Sequence, residues 1–217
     1  MSKKAILIGA TGLTGSLVLR KILADSAYSK VIVFTRSPTG CLHPKLEEHR
    51  VDLFDLELYK DIYKADVVFC CIGTTKSKTP DPTLYKKIDY GIPLAAARLA
   101  KENKISKFIV ISALKANVNS LFFYNRVKGE MQQQVLQQNI EYTHILQPSL
   151  IIGKRKDRRI GEGMAIAFFQ IFGFLVPKKY KAIPADTIAN AMLYLANSNF
   201  KKTIITSDEI LVIGNKV

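Results

Sequence analysis

The chain has 217 residues, 48% of them hydrophobic, which is enough to bury a full core. It carries 32 basic and 18 acidic residues, so its formal net charge is +14. These values exclude a disordered chain, and no apolar run reaches the roughly 18 to 20 residues that a membrane helix needs. We expect a single domain over residues 1–217, within which residues 150–217 form a small C-terminal region on the substrate side.

The positive charge and the cysteines limit the partners and the compartment. Much of the basic excess lies at 154–156, 158–159, 178–179 and Lys181. A field of this sign attracts anions, which could be nucleic acid, an acidic membrane surface, or an anionic cofactor and small-molecule substrate, although a solvated basic surface without a partner is the commoner outcome. Nucleic acid is disfavoured because no nucleic-acid module accompanies the charge. Three cysteines without metal spacing, and an N-terminus leading straight into a strand, predict a cytoplasmic protein. The oligomeric state is left open.

Strand-like and helix-like segments alternate along the chain. The apolar runs predict strands at 5–8, 30–34, 51–53, 65–72, 108–111 and 142–146, and the helical spacing predicts helices at 15–24, 56–63, 84–102 and 124–139. Continuous apolar strands separated by helices are typical of a parallel sheet covered on both faces. The expected fold is therefore α/β, a doubly wound parallel sheet of the Rossmann type, with the ligand at the carboxyl ends of the strands.

A glycine-rich turn follows the first predicted strand and precedes the first predicted helix. It reads Gly-Ala-Thr-Gly-Leu-Thr-Gly over residues 9–15. Glycines at such a turn adopt unusual backbone angles and let a ligand approach the main chain, while the helix N-terminus faces the phosphates. This arrangement predicts a pyrophosphate site, and an ordinary glycine-rich turn is the alternative.

A second group of polar residues lies at the fifth strand and the helix after it. Ser112 follows the strand, and Tyr124 and Lys128 stand four residues apart on one helical face. A lysine ammonium beside a phenol favours the phenolate, so the tyrosine could exchange a proton with a substrate oxygen. The serine hydroxyl could hold the same oxygen. A surface pair on a helix is the alternative.

Together these motifs resemble those of the short-chain dehydrogenase/reductase superfamily. The resemblance rests on Gly9-x-x-Gly12-x-x-Gly15, Ser112 and Tyr124-x-x-x-Lys128, and it runs to about residue 190. Residues 70–75, 119–130, 168–169 and 175–177 are most similar to the atypical branch named for a Tat-interacting oxidoreductase protein. That resemblance implies an extended-type Rossmann fold that binds NADPH, in a branch that also contains regulators of uncertain enzymatic role.

The resemblance also implies which residues hold the cofactor. Arg36 stands where the dinucleotide is selected, and because no acid is present at 35–37 it favours the 2′-phosphate of NADP(H) over NAD(H), unless it is a solvated arginine. Asp52 and Leu53 resemble the pair that flanks the adenine. The remaining predicted cofactor contacts are Gly9, Thr11, Gly12, Leu13, Thr14, Gly15, Cys71, Ile72, Gly73, Thr74, Tyr124, Lys128 and Pro148.

Two departures from the family pattern bear on the chemistry. Asp89 stands where many relatives have an asparagine, which puts a proton relay through that helix in doubt. Ala113 follows Ser112 where a second serine is frequent, so Ser112 is the hydroxyl at that position. The adjacent Cys70 and Cys71 are read as small core residues rather than nucleophiles.

The sequence therefore predicts an NADP(H)-dependent oxidoreductase that transfers a hydride to or from a carbonyl or alcohol. Tyr124 would be the general acid/base, Lys128 would lower its pKa and hold the nicotinamide ribose, and Ser112 would hold the substrate oxygen. Two alternatives stay open: an NADPH-binding sensor or scaffold without turnover, and an isomerase of the nucleotide-sugar epimerase type. The substrate is not identified, and the apolar run 164–172 is expected to pack in the core rather than to line a pocket or a subunit contact.

Overall fold

A parallel sheet forms the centre of the protein, whose computed structural model describes residues 2–153, 177 and 180–216. Several predicted features lie outside the described residues. They are the basic groups at 154–156, 158–159 and 178–179, the apolar run 164–172, and the resemblance at 168–169 and 175–176. The strands are β1 (Lys3–Ile8), β2 (Tyr28–Thr35), β3 (Leu46–Arg50), β4 (Val67–Cys70), β5 (Lys107–Ile111), β6 (Tyr142–Gln147), β7 (Ile151–Ile152), β8 (Ile183–Pro184) and β9 (Ile204–Thr206).

The described helices are α1 (Leu13–Ala24), α2 (Pro82–Lys86), α3 (Ile92–Glu102), α4 (Phe123–Leu136), α5 (Ala185–Asn197) and α6 (Ser207–Gly214). A 3-10 segment runs over Leu53–Ile62, and a π-helical turn over Lys87–Gly91 joins α2 to α3. The main sheet has seven parallel strands in the order β3-β2-β1-β4-β5-β6-β9, and β7 pairs with β8 separately. This confirms the α/β Rossmann-type fold.

The two faces of the sheet bury separate cores. Alternate residues of β1 point to opposite faces, so Leu7 packs with α1, α5 and α6, while Ile8 packs with the 3-10 segment, α3 and α4. Because both faces are covered, the central strands β1, β4 and β5 each contain a run of four consecutive apolar residues. In the part of the chain that the structure describes, no helix has both the length and the apolar composition needed to cross a membrane.

The third strand differs from its prediction. It covers Leu46–Arg50 rather than 51–53, and Leu53 opens the 3-10 segment instead. This strand lies at the edge of the sheet and is mostly polar, so an apolar run does not mark it. Its side chains are stabilised by contacts across to β2: Glu47 forms an ion pair with Lys30, and the His49 ring stacks on Phe34 at 5.5 Å between centroids.

His144 on β6 is a buried titratable group of the fold. Its Nδ1 lies 2.9 Å from the Lys202 carbonyl oxygen, and its Nε2 has no hydrogen-bond partner among the described residues. Burial lowers the pKa of His144, and the nearby Lys107 ammonium acts in the same direction. The neutral ring is therefore the form that the folded protein holds.

We expect the free energy of unfolding to fall as the pH drops from about 7 to about 5, because the unfolded chain binds a proton at His144 that the folded chain resists. The contribution of neutral His144 to stability is complete above the pKa that this histidine has in the unfolded chain, and it is lost as the pH falls below that pKa. Urea unfolding across that range measures it. His144→Asn should flatten the dependence and His43→Asn, at a half-buried loop histidine, should not; the reverse pattern would contradict the assignment.

Candidate functional site

The turn between β1 and α1 requires glycine at two positions. Gly9 has a φ of +88°, and a Cβ there would lie 2.8 Å from the carbonyl carbon and oxygen of Cys71. A Cβ on Gly15 would lie 2.0 Å from the Gly9 carbonyl oxygen. The missing side chains thus let α1 pack directly against the turn and let the turn approach the end of β4. A side chain at either position would push these segments apart.

The N-terminus of α1 faces the carboxyl edge of the sheet between β1 and β4. Thr11 and Gly12 are exposed there, Leu13 is half-buried, and Thr14 and Gly15 are buried. The first turn of α1 contains no acidic residue. A helix start with backbone N–H groups, a positive dipole end and no competing carboxylate fits an anionic ligand. The strand order reverses at this point, which is where ligands bind in open α/β sheets.

Residues 71–74, which follow β4, lie next to the glycine turn at the same carboxyl edge of the sheet. The Cys71 N–H donates to the Ile8 carbonyl at 2.8 Å, which holds residues 71–74 beside the glycine turn. Ile72 and Thr74 are half-buried and Gly73 is exposed. A Cβ on Gly73 would lie 3.7 Å from Asp89 Oδ1 and 3.9 Å from Lys128 Nζ, so the bare backbone of Gly73 lies directly over these two side chains.

The two cysteines of this segment are poor nucleophiles. Burial raises the pKa of the Cys70 thiol to about 11 and that of Cys71 well above its usual range. Cys70 is fully buried, and Cys71 Sγ lies 3.9 Å from the Met192 sulfur. Because the thiolate is the reactive form, these thiols act as packing groups beside the site.

Arg36 lies directly after β2, exposed at the same carboxyl edge. Its neighbour Thr35 is in register with Arg50, the last residue of β3, which is also exposed. Two arginines therefore stand at adjacent strand ends. Arg50 is not among the residues predicted from the sequence, because the strand predicted at 51–53 leaves this arginine in the preceding loop.

The predicted adenine-flanking pair has structural partners. The Asp52 carboxylate accepts the Phe54 N–H at 2.9 Å and caps the 3-10 segment, while Leu53 is buried in the core. Pro148 is buried after β6, and its carbonyl accepts the Leu114 N–H at 2.9 Å. Contact of these three residues with a cofactor stays a prediction.

Three polar side chains lie along one face of α4 because each is four residues from the next. Tyr124 is 42% exposed, whereas Lys128 is 3% exposed and Gln132 is buried. The stripe therefore runs from solvent into the protein. Close packing fixes α4: a Cβ on Gly129 would lie 2.3 Å from the Asn117 carbonyl carbon, and the Asn125 side chain donates to the Leu114 carbonyl at 2.9 Å.

Ser112 contacts the inner end of this stripe. The Gln132 side-chain amide donates to Ser112 Oγ at 2.5 Å, and the Gln147 amide donates to Gln132 Oε1 at 3.1 Å. The serine oxygen thus accepts from the protein, and its own O–H remains a donor. Neither glutamine was among the site residues predicted from the sequence, because hydrogen bonds between side-chain amides of different elements follow no regular spacing along the chain.

Lys128 is paired with Asp89. Its Nζ lies 2.7 Å from Asp89 Oδ1, and the other carboxylate oxygen accepts the Thr74 N–H at 2.7 Å. Burial by itself lowers the pKa of Lys128, but Asp89 and Tyr124 outweigh it, and the net pKa is raised. Lys128 is therefore a protonated ammonium whose nearest charge is a carboxylate, which the spacing of Tyr124 and Lys128 did not predict.

Comparisons with known proteins agree with this geometry. A family profile described as NAD(P)H-binding matches residues 9–199. The protein HTATIP2 of Rattus norvegicus is 30% identical over 196 residues, covering 88% of this chain and 80% of that protein. The mitochondrial protein FMP52 of Candida albicans is 31% identical over 166 residues, covering 74% of this chain and 72% of that protein. HTATIP2 bears out the resemblance to the Tat-interacting branch.

Solved structures show the same fold at much lower identity. A UDP-glucose 4-epimerase of Thermotoga maritima superposes with a TM-score of 0.72 at 16% identity, covering 98% of this chain and 82% of that one. A UDP-N-acetylglucosamine 4-epimerase of Methanobrevibacter ruminantium gives 0.72 at 18% identity, covering 97% and 80%. At these identities the likeness concerns the fold alone.

Gly15→Ala should destabilise the protein and weaken dinucleotide binding, because the added methyl group would overlap the Gly9 carbonyl oxygen. We expect a loss of about 1–3 kcal/mol in the free energy of unfolding, measured in urea, and at least a tenfold weaker affinity for NADPH by titration. Gly91→Ala is the matched control, since a Cβ there meets nothing within 4 Å. Equal effects of the two substitutions would refute the close-approach account.

Proposed function

The chain belongs to the NAD(P)H-binding Rossmann family of atypical short-chain dehydrogenases/reductases, and we propose that it is an NADP(H)-dependent oxidoreductase. Its substrate is a small molecule with a carbonyl or alcohol group. The observation that carries the proposal is that the segment 71–74 contacts both the glycine turn, through Cys71, and Lys128 of the α4 stripe, through Gly73. Nucleotide binding and proton transfer would then occur side by side.

The residues present fit a dinucleotide. Gly9 and Gly15 keep the turn clear of side chains, the start of α1 offers N–H groups to phosphates, and exposed Gly73 lies over Lys128. When bound, the nicotinamide supplies or accepts the hydride. Residues 11–15 would hold the pyrophosphate, and residues 71–74 would lie along the neighbouring ribose.

Tyr124 is the group that would exchange the proton. It is half-exposed at the mouth of the site, and its ring packs edge-on against Tyr85 with 6.4 Å between centroids. In the reducing direction its phenol gives a proton to the carbonyl oxygen, and in the oxidising direction it takes one from the alcohol. Ser112 supports this role, because its O–H can donate to the same oxygen while Gln132 fixes its orientation.

The preference for NADP(H) rests on Arg36 and Arg50. Both are exposed at adjacent strand ends, and a guanidinium fits a phosphate by charge-assisted, bidentate hydrogen bonds. An acid at this place would instead accept the ribose hydroxyls of NAD.

A second candidate function is an NADPH-binding sensor without turnover. The observation that favours it is the buried contact between Lys128 and Asp89, because a lysine held by a carboxylate does little to help Tyr124 take a proton from an alcohol, which leaves the oxidising direction without support. The two functions share the dinucleotide site and differ in whether Tyr124 ever delivers its proton.

Arg36→Ala should weaken NADPH binding by about 10- to 100-fold and leave NADH binding within about twofold, because the lost hydrogen bonds are to the 2′-phosphate. Adding Arg50→Ala should weaken NADPH binding further. Titration of both dinucleotides measures the effect, with Arg98→Ala, exposed on α3, as the control. A parent protein that binds NADH as tightly as NADPH would rule out the preference.

Tyr124→Phe should lower kcat by at least about 100-fold on any carbonyl compound that the parent reduces, because the proton donor is lost. NADPH affinity should change by no more than a few-fold. The measurement is NADPH oxidation across a panel of aldehydes and ketones, with Tyr142→Phe, at the start of β6, as the control. Tight NADPH binding with no turnover across the panel would favour the sensor.

A further inference from the structure

Asp89 is fully buried and holds two neighbouring segments together. One of its carboxylate oxygens contacts Lys128 Nζ on α4, and the other accepts the Thr74 N–H from the segment after β4, each at 2.7 Å. Lys128 is itself only 3% exposed. Water therefore has little access to either charge, and their interaction is weakly screened.

The backbone around Asp89 is unusual. It lies in the π-helical turn Lys87–Gly91, where the Ile92 N–H donates to the Lys87 carbonyl five residues earlier. Pro93 follows, and a proline has no N–H for the carbonyl four residues before it, which is that of Asp89. The helix is wider where this bond is missing, and Asp89 in the widened turn contacts Lys128 on α4. Such π turns are frequent at functional sites.

We propose that Asp89 is a positioning residue that cancels the charge of Lys128 at the Tyr124 phenol, so that Tyr124 keeps its proton through neutral pH and the site works as a reductase. This inference rests on the proposed oxidoreductase function. It adds a direction to that function and assigns a role to Asp89.

A lysine acts on a neighbouring phenol differently when a carboxylate is paired with it. A lone ammonium beside a phenol stabilises the phenolate, whereas an ammonium with a carboxylate 2.7 Å away presents a dipole, whose field falls off faster with distance. The groups facing Lys128 are Asp89, Tyr124 and the Cys70 thiol. Cys70 stays uncharged at neutral pH because burial raises its pKa to about 11. Asp89 is therefore the group that offsets the ammonium.

A purely structural role explains the pair less well. Burying two charges costs desolvation that their attraction often fails to repay, so an apolar pair of similar volume is commonly as stable. A second ion pair with access to water, Lys86 with half-buried Glu130 at 2.6 Å, already joins α2 to α4 nearby. An apolar pair could hold α4 in place as well, and the effect on Tyr124 is the property that such a pair would lack.

The reductive step balances with the groups named. Tyr124 would supply the proton that forms the new O–H bond as the C=O π bond breaks, and the hydride for the new C–H bond would come from a bound reduced nicotinamide dinucleotide. The carbonyl is reduced by two electrons and the dinucleotide is oxidised by two. Tyr124 then regains a proton from water, which its 42% exposure permits.

The test titrates Tyr124 without any substrate. The chain has nine tyrosines, so the ultraviolet absorbance of the Tyr124 phenolate is isolated by subtracting the titration of Tyr124→Phe from that of the parent. The same subtraction is made between Asp89→Asn and Asp89→Asn/Tyr124→Phe. We expect the midpoint of phenolate formation to lie at least about one pH unit lower with asparagine at position 89. An unchanged or higher midpoint would overturn the proposal.

A double variant keeps the test decisive if the single substitution unfolds the protein. Asp89→Asn/Lys128→Met removes both charges and leaves no unpaired buried ion. If the parent pair acts on Tyr124 as a neutral unit, the midpoint in this variant stays within about half a pH unit of the parent. A midpoint more than one unit higher would show that Lys128 still acts on Tyr124 as an uncancelled charge.

Glu130→Gln is the matched control. It removes one negative charge from α4 next to the same helix pair, but at a half-buried site with access to water, so the midpoint should move by less than about 0.3 unit. A shift as large as that of Asp89→Asn would refute the specific role of Asp89. Because the titration needs no turnover, failure of this inference is distinguishable from failure of the oxidoreductase proposal.

Discussion

The ion pair between Asp89 and Lys128 joins three segments that meet at the site. Thr74 follows β4, Asp89 lies in the π turn between α2 and α3, and Lys128 lies on α4. Together they fix the position of α4 relative to the carboxyl edge of the sheet, and so the place of Tyr124. The glycine turn directly follows β1, and the hydrogen bond from the Cys71 N–H to the Ile8 carbonyl holds the segment after β4 beside it. Both parts of the site therefore depend on how residues 71–74 leave β4.

Most of the fold could be predicted from the sequence, because the strands of a parallel sheet covered on both faces consist largely of consecutive apolar residues. The predicted helix at 84–102 corresponds to a continuous helical stretch from Pro82 to Glu102, and the prediction missed only its π turn. The predicted position of the third strand, 51–53, was wrong for a physical reason. At the sheet edge, β3 is held by its backbone pairing with β2 and by the ion pair between Lys30 and Glu47. Neither interaction requires a periodic pattern of hydrophobic residues in the sequence.

The candidate site was predictable where local geometry dictates residue type. A backbone φ of +88° at Gly9 and a 2.0 Å approach at Gly15 demand glycine, so the turn is visible in the sequence. Asp89 and Lys128 are 39 positions apart, and no periodicity links them. The hydrogen bond from Gln132 to Ser112 is equally invisible, because it depends on how α4 packs on the chain after β5. Contacts made only by tertiary packing are the part that sequence reasoning could not reach.

The gradient of exposure along α4 determines how protons can reach the site. Tyr124 is half-exposed, Lys128 is nearly closed to solvent, and Asp89 is fully buried. A relay of protons through the lysine would need a water contact that this burial does not provide. Proton uptake after reduction would instead occur at Tyr124 itself, from the solvent side of the mouth. In the proton transfer itself the carboxylate would then act through its electric field, which makes the pH dependence of the site a property of charge placement rather than of a chain of proton carriers.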